Sequence, residues 1–342
     1  MTVRYSILTA AVAGVVLAGA ARALARRRTE VPSARLRDTD ELLGEIDVEP
    51  RVRTVTASDG ASLHVREYGD PDADPMVLSH GWACSADFWT PQINDLAGRY
   101  RVVVYDQRGH GASEVGTRPL GADVLGDDLA AVLGATVTTD RKAVLVGHSM
   151  GGMSIMAWAG RYPDQIRDYV KAIMLANTAS DSLLRETTLI PLPPGIPAVP
   201  TRLATTLLGS ALPIPANPLT VRAMKYATMG AGSTRSQVAF CERIVRECTP
   251  RTRGMWGSAL STLDIRDAVE RIDVPTSVLV GSSDRLTPPV HARQLARRLS
   301  AAGLLSEDGT KGRLVEIHGV GHMSSVEDIA TFDAELVRLA SL

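Results

Sequence analysis

Ser149 stands in Gly147-His148-Ser149-Met150-Gly151, a G-x-S-x-G pattern. Residues 143–146 before it are apolar and valine-containing, as suits a buried strand, and residues 154–161 suit the start of a packed helix. Glycines at both ends leave room for a sharp strand-to-helix turn that holds the serine exposed and strained. A hydroxyl presented in this way becomes a nucleophile once a neighbouring base takes its proton. A glycine turn with an incidental serine is the simpler alternative, and the flanking strand and helix favour the nucleophile.

In an open parallel sheet, reacting groups collect at the carboxyl ends of the strands. A strand at residues 276–280 is followed by Gly281-Ser-Ser-Asp284-Arg-Leu-Thr-Pro288, which puts Asp284 in the connecting loop. Thr287 is expected there as an N-cap, with Pro288 at the first helical position. A strand at residues 313–317 is followed by His318-Gly-Val-Gly-His322. The chain order Ser149, Asp284, His322 is that of a nucleophile, its acid and its base. His322 would take the serine proton and return one to the leaving group, while Asp284 fixes the imidazole tautomer and stabilises its cation. The oxyanion would be met by the backbone N–H groups of Met150 and of Trp82, in the loop after a strand at residues 76–79. The rivals are His318 as base and Asp181 as acid. His148, His80 and His110 read as packing residues, and the arginine and glycines of residues 106–113 read as a tight turn near the oxyanion loop.

The elements that must position these groups follow a βα rhythm. Residues 51–57 and 62–68 alternate about Ser58-Asp59-Gly60 and predict an antiparallel hairpin. Strands at 76–79, 101–105, 142–146 and 171–175 alternate with helices at 85–96, 124–133 and 154–162, and the helix containing Pro91 is expected in two pieces or starting near the proline. Right-handed crossovers in a mostly parallel sheet, with helices on both faces, follow from this order. The rhythm stops over residues 178–261, where prolines at 192–200, an apolar stretch at 203–212 and helices near 221–229 and 237–247 read as an inserted lid. It resumes with the strand at 276–280, a helix at 289–299, the strand at 313–317 and a closing helix at 326–339. That helix is expected to pack Ile329, Phe332, Leu336 and Leu339 and to leave Glu327, Asp328, Asp333 and Glu335 mostly outward. The core is thus residues 51–177 and 262–342.

The 342 residues are 45% hydrophobic and 22% charged, as in an ordinary globular protein. With 37 basic and 38 acidic residues the net charge is -1, which gives no electrostatic case for nucleic acid. Cys84, Cys241 and Cys248 make no disulfide framework, and no spacing suits a metal site or calls for a cofactor. Residues 5–21 are uncharged and apolar, with Arg4 before them and Arg22, Arg26, Arg27 and Arg28 after them. Residues 1–28 therefore read as a membrane anchor or an export signal, and an apolar helix of a cytoplasmic protein stands as the third reading. Charged residues 29–50 read as a linker.

Four blocks carry a resemblance that covers about residues 51–342: His80-Gly81-Trp82, Asp106-Gln-Arg-Gly-His-Gly-Ala-Ser113, Gly147-His-Ser-Met-Gly-Gly152, and Asp284 with Gly321-His322. The chain resembles the α/β-hydrolase fold serine hydrolases, in their esterase, haloperoxidase-like and C–C hydrolase branches. The resemblance implies an eight-stranded, mostly parallel sheet with an inserted helical lid. The haloperoxidase and perhydrolase group often has proline after the oxyanion-loop tryptophan, where this chain has Ala83. Similar enzymes that use an aspartate nucleophile are disfavoured by Ser149. The expected function is hydrolysis of carboxylic esters with apolar acyl groups, on a lipophilic small-molecule substrate. Perhydrolysis or C–C bond hydrolysis is the alternative within the fold, and a non-catalytic ligand-binding protein is the alternative outside enzymology.

Overall fold

The computed structural model describes residues 40–181, 183–187, 209–306 and 308–342. The anchor or signal segment, half of the linker, the proline-rich stretch at 192–200 and residues 203–208 of the apolar stretch lie outside the described residues. Among the described residues, no helix is long and apolar enough to cross a membrane.

Eight strands form one sheet: β1 Arg51–Thr56, β2 Ser62–Tyr68, β3 Pro75–Ser79, β4 Arg101–Tyr105, β5 Ala143–His148, β6 Val170–Ala176, β7 Thr276–Gly281 and β8 Leu314–Ile317. Their order is β1-β2-β4-β3-β5-β6-β7-β8. β2 runs antiparallel to β1 and to β4, and every other pairing is parallel. Strands buried on both faces read as continuous apolar runs. Accordingly β3, β4, β5 and β7 are buried along their whole length.

Alternate strand residues feed two cores, because successive side chains point to opposite faces. Val77 and Leu145 join one core with Leu129 and Val132 of α2 (Ala122–Thr136) and Met156 and Trp158 of α3 (Met150–Arg161). Met76, Leu78, Val144 and Val146 join the other, with Ile93 and Leu96 of α1 (Thr90–Leu96). As Pro91 predicts, the first helical segment is in two pieces: a 3-10 turn at Ala86–Trp89 precedes α1, whose first turn holds the proline. A further short helix, α4 (Pro163–Tyr169), begins at a proline and was not foreseen.

Between β6 and β7 the described helices are a single turn at Leu183–Glu186, α5 (Pro218–Thr228), α6 (Arg235–Glu247) and α7 (Pro250–Leu260). Both α5 and α6 open with capping boxes, on Asn217 and Thr234. After β7 comes α8 (Pro289–Ala301). Its N-cap position is Pro288, with Pro289 at the first helical position, one residue later than the sequence predicts. Thr287 is not the cap, because its hydroxyl is engaged by Asp284 at 2.8 Å.

The closing helix differs most from expectation. It is split into α9 (Ser324–Glu327) and α10 (Ile329–Ala340) by Asp328, whose side chain caps α10 at the Thr331 N–H, 3.1 Å. Ile329, Phe332, Leu336 and Leu339 are buried as predicted, but so are Glu327, Asp333 and Glu335, and Asp328 is half-buried. Glu327, Asp333 and Glu335 each have a partner from distant chain, and Glu335 has Arg338 on its own helix besides. Glu335 takes hydrogen bonds from Ser277 at 2.5 Å, Arg313 at 2.7 Å and Arg338 at 2.7 Å, and Asp333 takes one from Gln92 at 3.0 Å. A helical pattern cannot reveal such partners, and a buried carboxylate is tolerated only where they exist.

Candidate active site

The site forms where the strand order reverses. After β3 the chain moves to β4 on one side, and it later returns to β5 on the other, so the loops leaving β3 and β5 lie side by side. Such a switch point is where open α/β sheets take ligands. Ser79 pairs with Gly147, which brings His80-Gly81-Trp82 level with Ser149. A Cβ added to Gly81 would lie 3.2 Å from the Ser149 Cβ.

Ser149 has φ 52 and ψ -115, a left-handed backbone for a non-glycine residue at the junction of β5 and α3. Such a conformation costs of order 1–3 kcal/mol and persists only where its surroundings impose it. Here the Ser149 N–H donates to the Ala176 carbonyl at 2.9 Å, and the Thr178 hydroxyl donates to the Ser149 carbonyl at 2.7 Å. The glycines are steric requirements. A Cβ on Gly147 would meet the Gly151 backbone at 2.5 Å, and one on Gly151 would meet the Ser79 carbonyl oxygen at 2.0 Å. Met150 opens α3, so its N–H belongs to the donors that a helix leaves without internal partners. It and the Trp82 N–H have no acceptor among the described residues.

Asp284 and His322 meet across the ends of β7 and β8. The His322 Nδ1–H donates to Asp284 Oδ2 at 2.8 Å, and both side chains are buried. The other carboxylate oxygen accepts the N–H groups of Leu286 and Thr287, each at 2.9 Å. Burial pushes the Asp284 carboxyl upward; the His322 ring and the donors from His322, Asn177 and Thr287 outweigh it, leaving the group below the ordinary carboxylate range. It therefore stays an anion beside the imidazole. His148 ties the elbow to this pair: its Nε2–H donates to the His322 carbonyl at 2.8 Å, and the two rings lie 4.8 Å apart. Burial, reinforced by His322, lowers the His148 pKa to about 3, so it is a neutral packing residue.

His318 is exposed, and Asp181 lies 3.7 Å from Arg266. His80 and His110 are buried and hold the loop after β3: His80 accepts the Gln107 N–H at 2.9 Å, and His110 accepts the Ala83 N–H at 3.3 Å. Burial lowers their pKa values to about 4 and about 3. Arg108 anchors the neighbouring turn with a two-pronged bond to Asp128, at 2.8 and 2.7 Å, and a bond to Asp59 at 2.8 Å.

The family model described as the alpha/beta hydrolase fold matches residues 74–329. The chain belongs to this family. A non-heme chloroperoxidase of Streptomyces lividans is 29% identical over 282 residues, covering 78% of this chain and 94% of the relative. A bifunctional esterase/perhydrolase of Acinetobacter calcoaceticus is 27% identical over 299 residues, covering 83% and 97%. Among solved structures, an esterase of a Rhodococcus species superposes with a TM-score of 0.63 at 26% identity, covering 85% of this chain and 99% of that one.

Within this α/β hydrolase, sequence reasoning missed two neighbours of Asp284. Asn177, buried at the end of β6 with φ 47, donates from Nδ2 to Asp284 Oδ2 at 2.9 Å and to the Gly321 carbonyl at 3.1 Å. Thr287 donates its hydroxyl to the same Oδ2 at 2.8 Å. The available signal was an asparagine directly after a strand, a residue type that tolerates the left-handed region. Ala83 also has a positive φ, 60, which proline cannot adopt. The loop after β3 in this α/β hydrolase therefore has a backbone distinct from any that carries proline at position 83.

Proposed function

We propose that the protein is a serine hydrolase that cleaves carboxylic esters of apolar acyl groups through an acyl-enzyme on Ser149. The observation that carries this reading is the buried 2.8 Å bond between His322 and Asp284, at strand ends beside the strained Ser149 elbow. His322 Nε2 takes the Ser149 proton as the oxygen attacks the ester carbonyl, and gives it to the departing alcohol. Asp284 keeps the imidazole proton on Nδ1 and stabilises the cation between those two steps. The N–H groups of Met150 and Trp82 meet the oxyanion, each worth about 3 kcal/mol of transition-state stabilisation. Water, activated by the same histidine, then releases the acid.

Residues 178–261 act in this reading as a cap over the strand ends. In support, the Trp82 indole N–H donates to the Arg253 carbonyl at 2.9 Å and the Trp256 indole N–H donates to the Arg108 carbonyl at 2.8 Å. Leu212, Ile214 and Leu219, also between β6 and β7, are exposed and suit apolar substrates. Residues 5–21 would hold the enzyme at a membrane, where such esters concentrate. Fractionation of the full chain with and without residues 1–28 tests that location, and recovery of both forms in the soluble fraction would reject it.

The deciding experiment is labelling by a fluorophosphonate probe together with turnover of p-nitrophenyl esters graded by chain length. The wild type should be labelled and Ser149→Ala should be neither labelled nor active; unchanged hydrolysis in that variant would reject the proposal. Tight ligand binding without turnover, unaffected by Ser149→Ala, would instead support a non-catalytic binding protein. The names of the chloroperoxidase and esterase/perhydrolase relatives favour a second reading, in which hydrogen peroxide replaces water and the acyl-enzyme yields a peracid. Ester turnover compared with peroxide-dependent halogenation on one preparation separates the two.

A further inference from the structure

Glu327 lies outside the proposed triad, yet the residue is only 3% exposed and its carboxylate holds four donors. Oε1 accepts the N–H of Gly321 at 3.0 Å and the N–H of Met323 at 3.2 Å, the two residues that flank His322. Oε2 accepts the Gly230 N–H at 2.6 Å and the Ser233 hydroxyl at 2.8 Å, both just beyond the end of α5. The N–H of His322 itself donates to the Thr228 carbonyl, the last residue of α5, at 2.7 Å. Three successive backbone donors, 321 to 323, are thus consumed by one carboxylate and one helix end.

The same junction is packed at backbone distance. A Cβ on Gly321 would sit 2.5 Å from the Met229 carbonyl carbon, and one on Gly230 would sit 2.0 Å from the Gly319 oxygen. The acid side is tied to the same helix end. Arg285, which follows Asp284, donates to the Tyr226 carbonyl at 2.8 Å, and its guanidinium lies 4.5 Å over the Tyr226 ring.

We propose that Glu327 is a positioning residue for His322, clamping the loop that carries the imidazole against the end of α5. The inference rests on the reading of His322 as the general base. Four donors converging on one buried carboxylate fix its position, and through it the main chain on both sides of the histidine. Glutamine in its place keeps the shape but turns one acceptor oxygen into an amide donor, which faces donors already there. The loop then loses one of its two anchors, and the imidazole loses its register against Ser149 Oγ.

The test compares Glu327→Gln with wild type in ester turnover and in the bimolecular rate of fluorophosphonate labelling, both expressed per labelled Ser149. The expected result is a fall of about tenfold or more in kcat and in labelling rate, with KM changed little, since misplacing a reacting group acts on the chemical step. A residue that merely supports folding would lower the melting temperature and the labelled fraction, but would leave kcat per labelled site unchanged. That outcome, or a rise in KM alone, overturns the inference. If Glu327→Gln does not fold, Ser233→Ala removes a single one of the four bonds and is read in the same way, with kcat per site expected to fall by about two- to fivefold. Wild-type protein that takes no label at Ser149 defeats the underlying reading instead, so the two failures are distinguishable.

Discussion

Asn177 and Asp284 are joined by a 2.9 Å hydrogen bond from the amide Nδ2 to the same carboxylate oxygen that holds His322. The amide oxygen is engaged as well, by the Ser324 hydroxyl. The side chain therefore links the end of β6, Asp284 and the helix that follows His322. Removing it leaves a buried carboxylate short of one donor, a loss of roughly 1.5–3 kcal/mol for a bond to a charged group. Asn177→Ala is expected to lower kcat by about tenfold to a hundredfold, if that loss is felt in the transition state. Wild-type kcat in a folded Asn177→Ala protein would show that the amide contributes nothing to catalysis.

The pH dependence follows from the direction in which Asp284 is displaced. Its folded carboxyl titrates below the ordinary carboxylate range, so the anion persists through mildly acidic solution. The stability it contributes is present above the unfolded carboxyl pKa and is lost only as pH falls through the lower folded one. Asp284 should therefore take no part in any fall of kcat/KM in mildly acidic solution, and such a fall should be a single-proton event. A log–log plot of kcat/KM against pH with a limiting slope of one supports this. A slope of two contradicts it.

Ala83 offers a test of the oxyanion role proposed for the loop after β3 that does not touch the proposed reacting groups. Its φ of 60 lies outside what proline allows, and its N–H is used by His110 at 3.3 Å. Ala83→Pro should cost about 3 kcal/mol or more, or displace the Trp82 N–H and lower kcat. Ala83→Gly relieves the left-handed strain and should be neutral or slightly stabilising, offset by the greater freedom of the unfolded chain. Thermal unfolding of the two variants checks the pair, and a well-folded, fully active Ala83→Pro would mean that the loop can adopt another backbone.

The parts of the site that were legible in sequence are those with a local cause. Gly147 and Gly151 had to lack side chains because a Cβ on either meets backbone within 2.5 Å, so the elbow left a pattern in adjacent residues. Asp284 and His322 could be singled out from strand ends, since a parallel sheet collects loops at one edge, and the structure joins the two side chains at 2.8 Å. Glu327, Asp333 and Glu335 were misplaced because period and charge on a helix speak only of its own faces. Their partners Gly230, Gln92 and Arg313 come from other elements, and nothing in residues 324–340 announces them. Asn177 was passed over for the same reason: its function lies in contacts to residues more than 100 positions away.

Asp333 gives the sharpest stability prediction. It is buried on α10, takes a hydrogen bond from the Gln92 amide at 3.0 Å, and lies beside the Asp95 carboxyl, which also raises its pKa. Burial drives its carboxyl well above the ordinary value, against the smaller opposing effect of Gln92. A group whose folded pKa is raised contributes stability that is fully present below the unfolded pKa and is lost as pH rises through the folded one. At neutral pH the carboxyl therefore destabilises the fold, whether it ionises in place or stays protonated against the solution. Asp333→Asn keeps the oxygen that faces Gln92 and removes the charge. It should stabilise the protein at pH 7 by about 1–3 kcal/mol, and the gain should shrink toward zero as pH approaches that of an unfolded carboxyl. Urea unfolding of both proteins at pH 7 and at mildly acidic pH measures the difference. A variant that is destabilised equally at both would show that the carboxyl is better accommodated than its surroundings indicate.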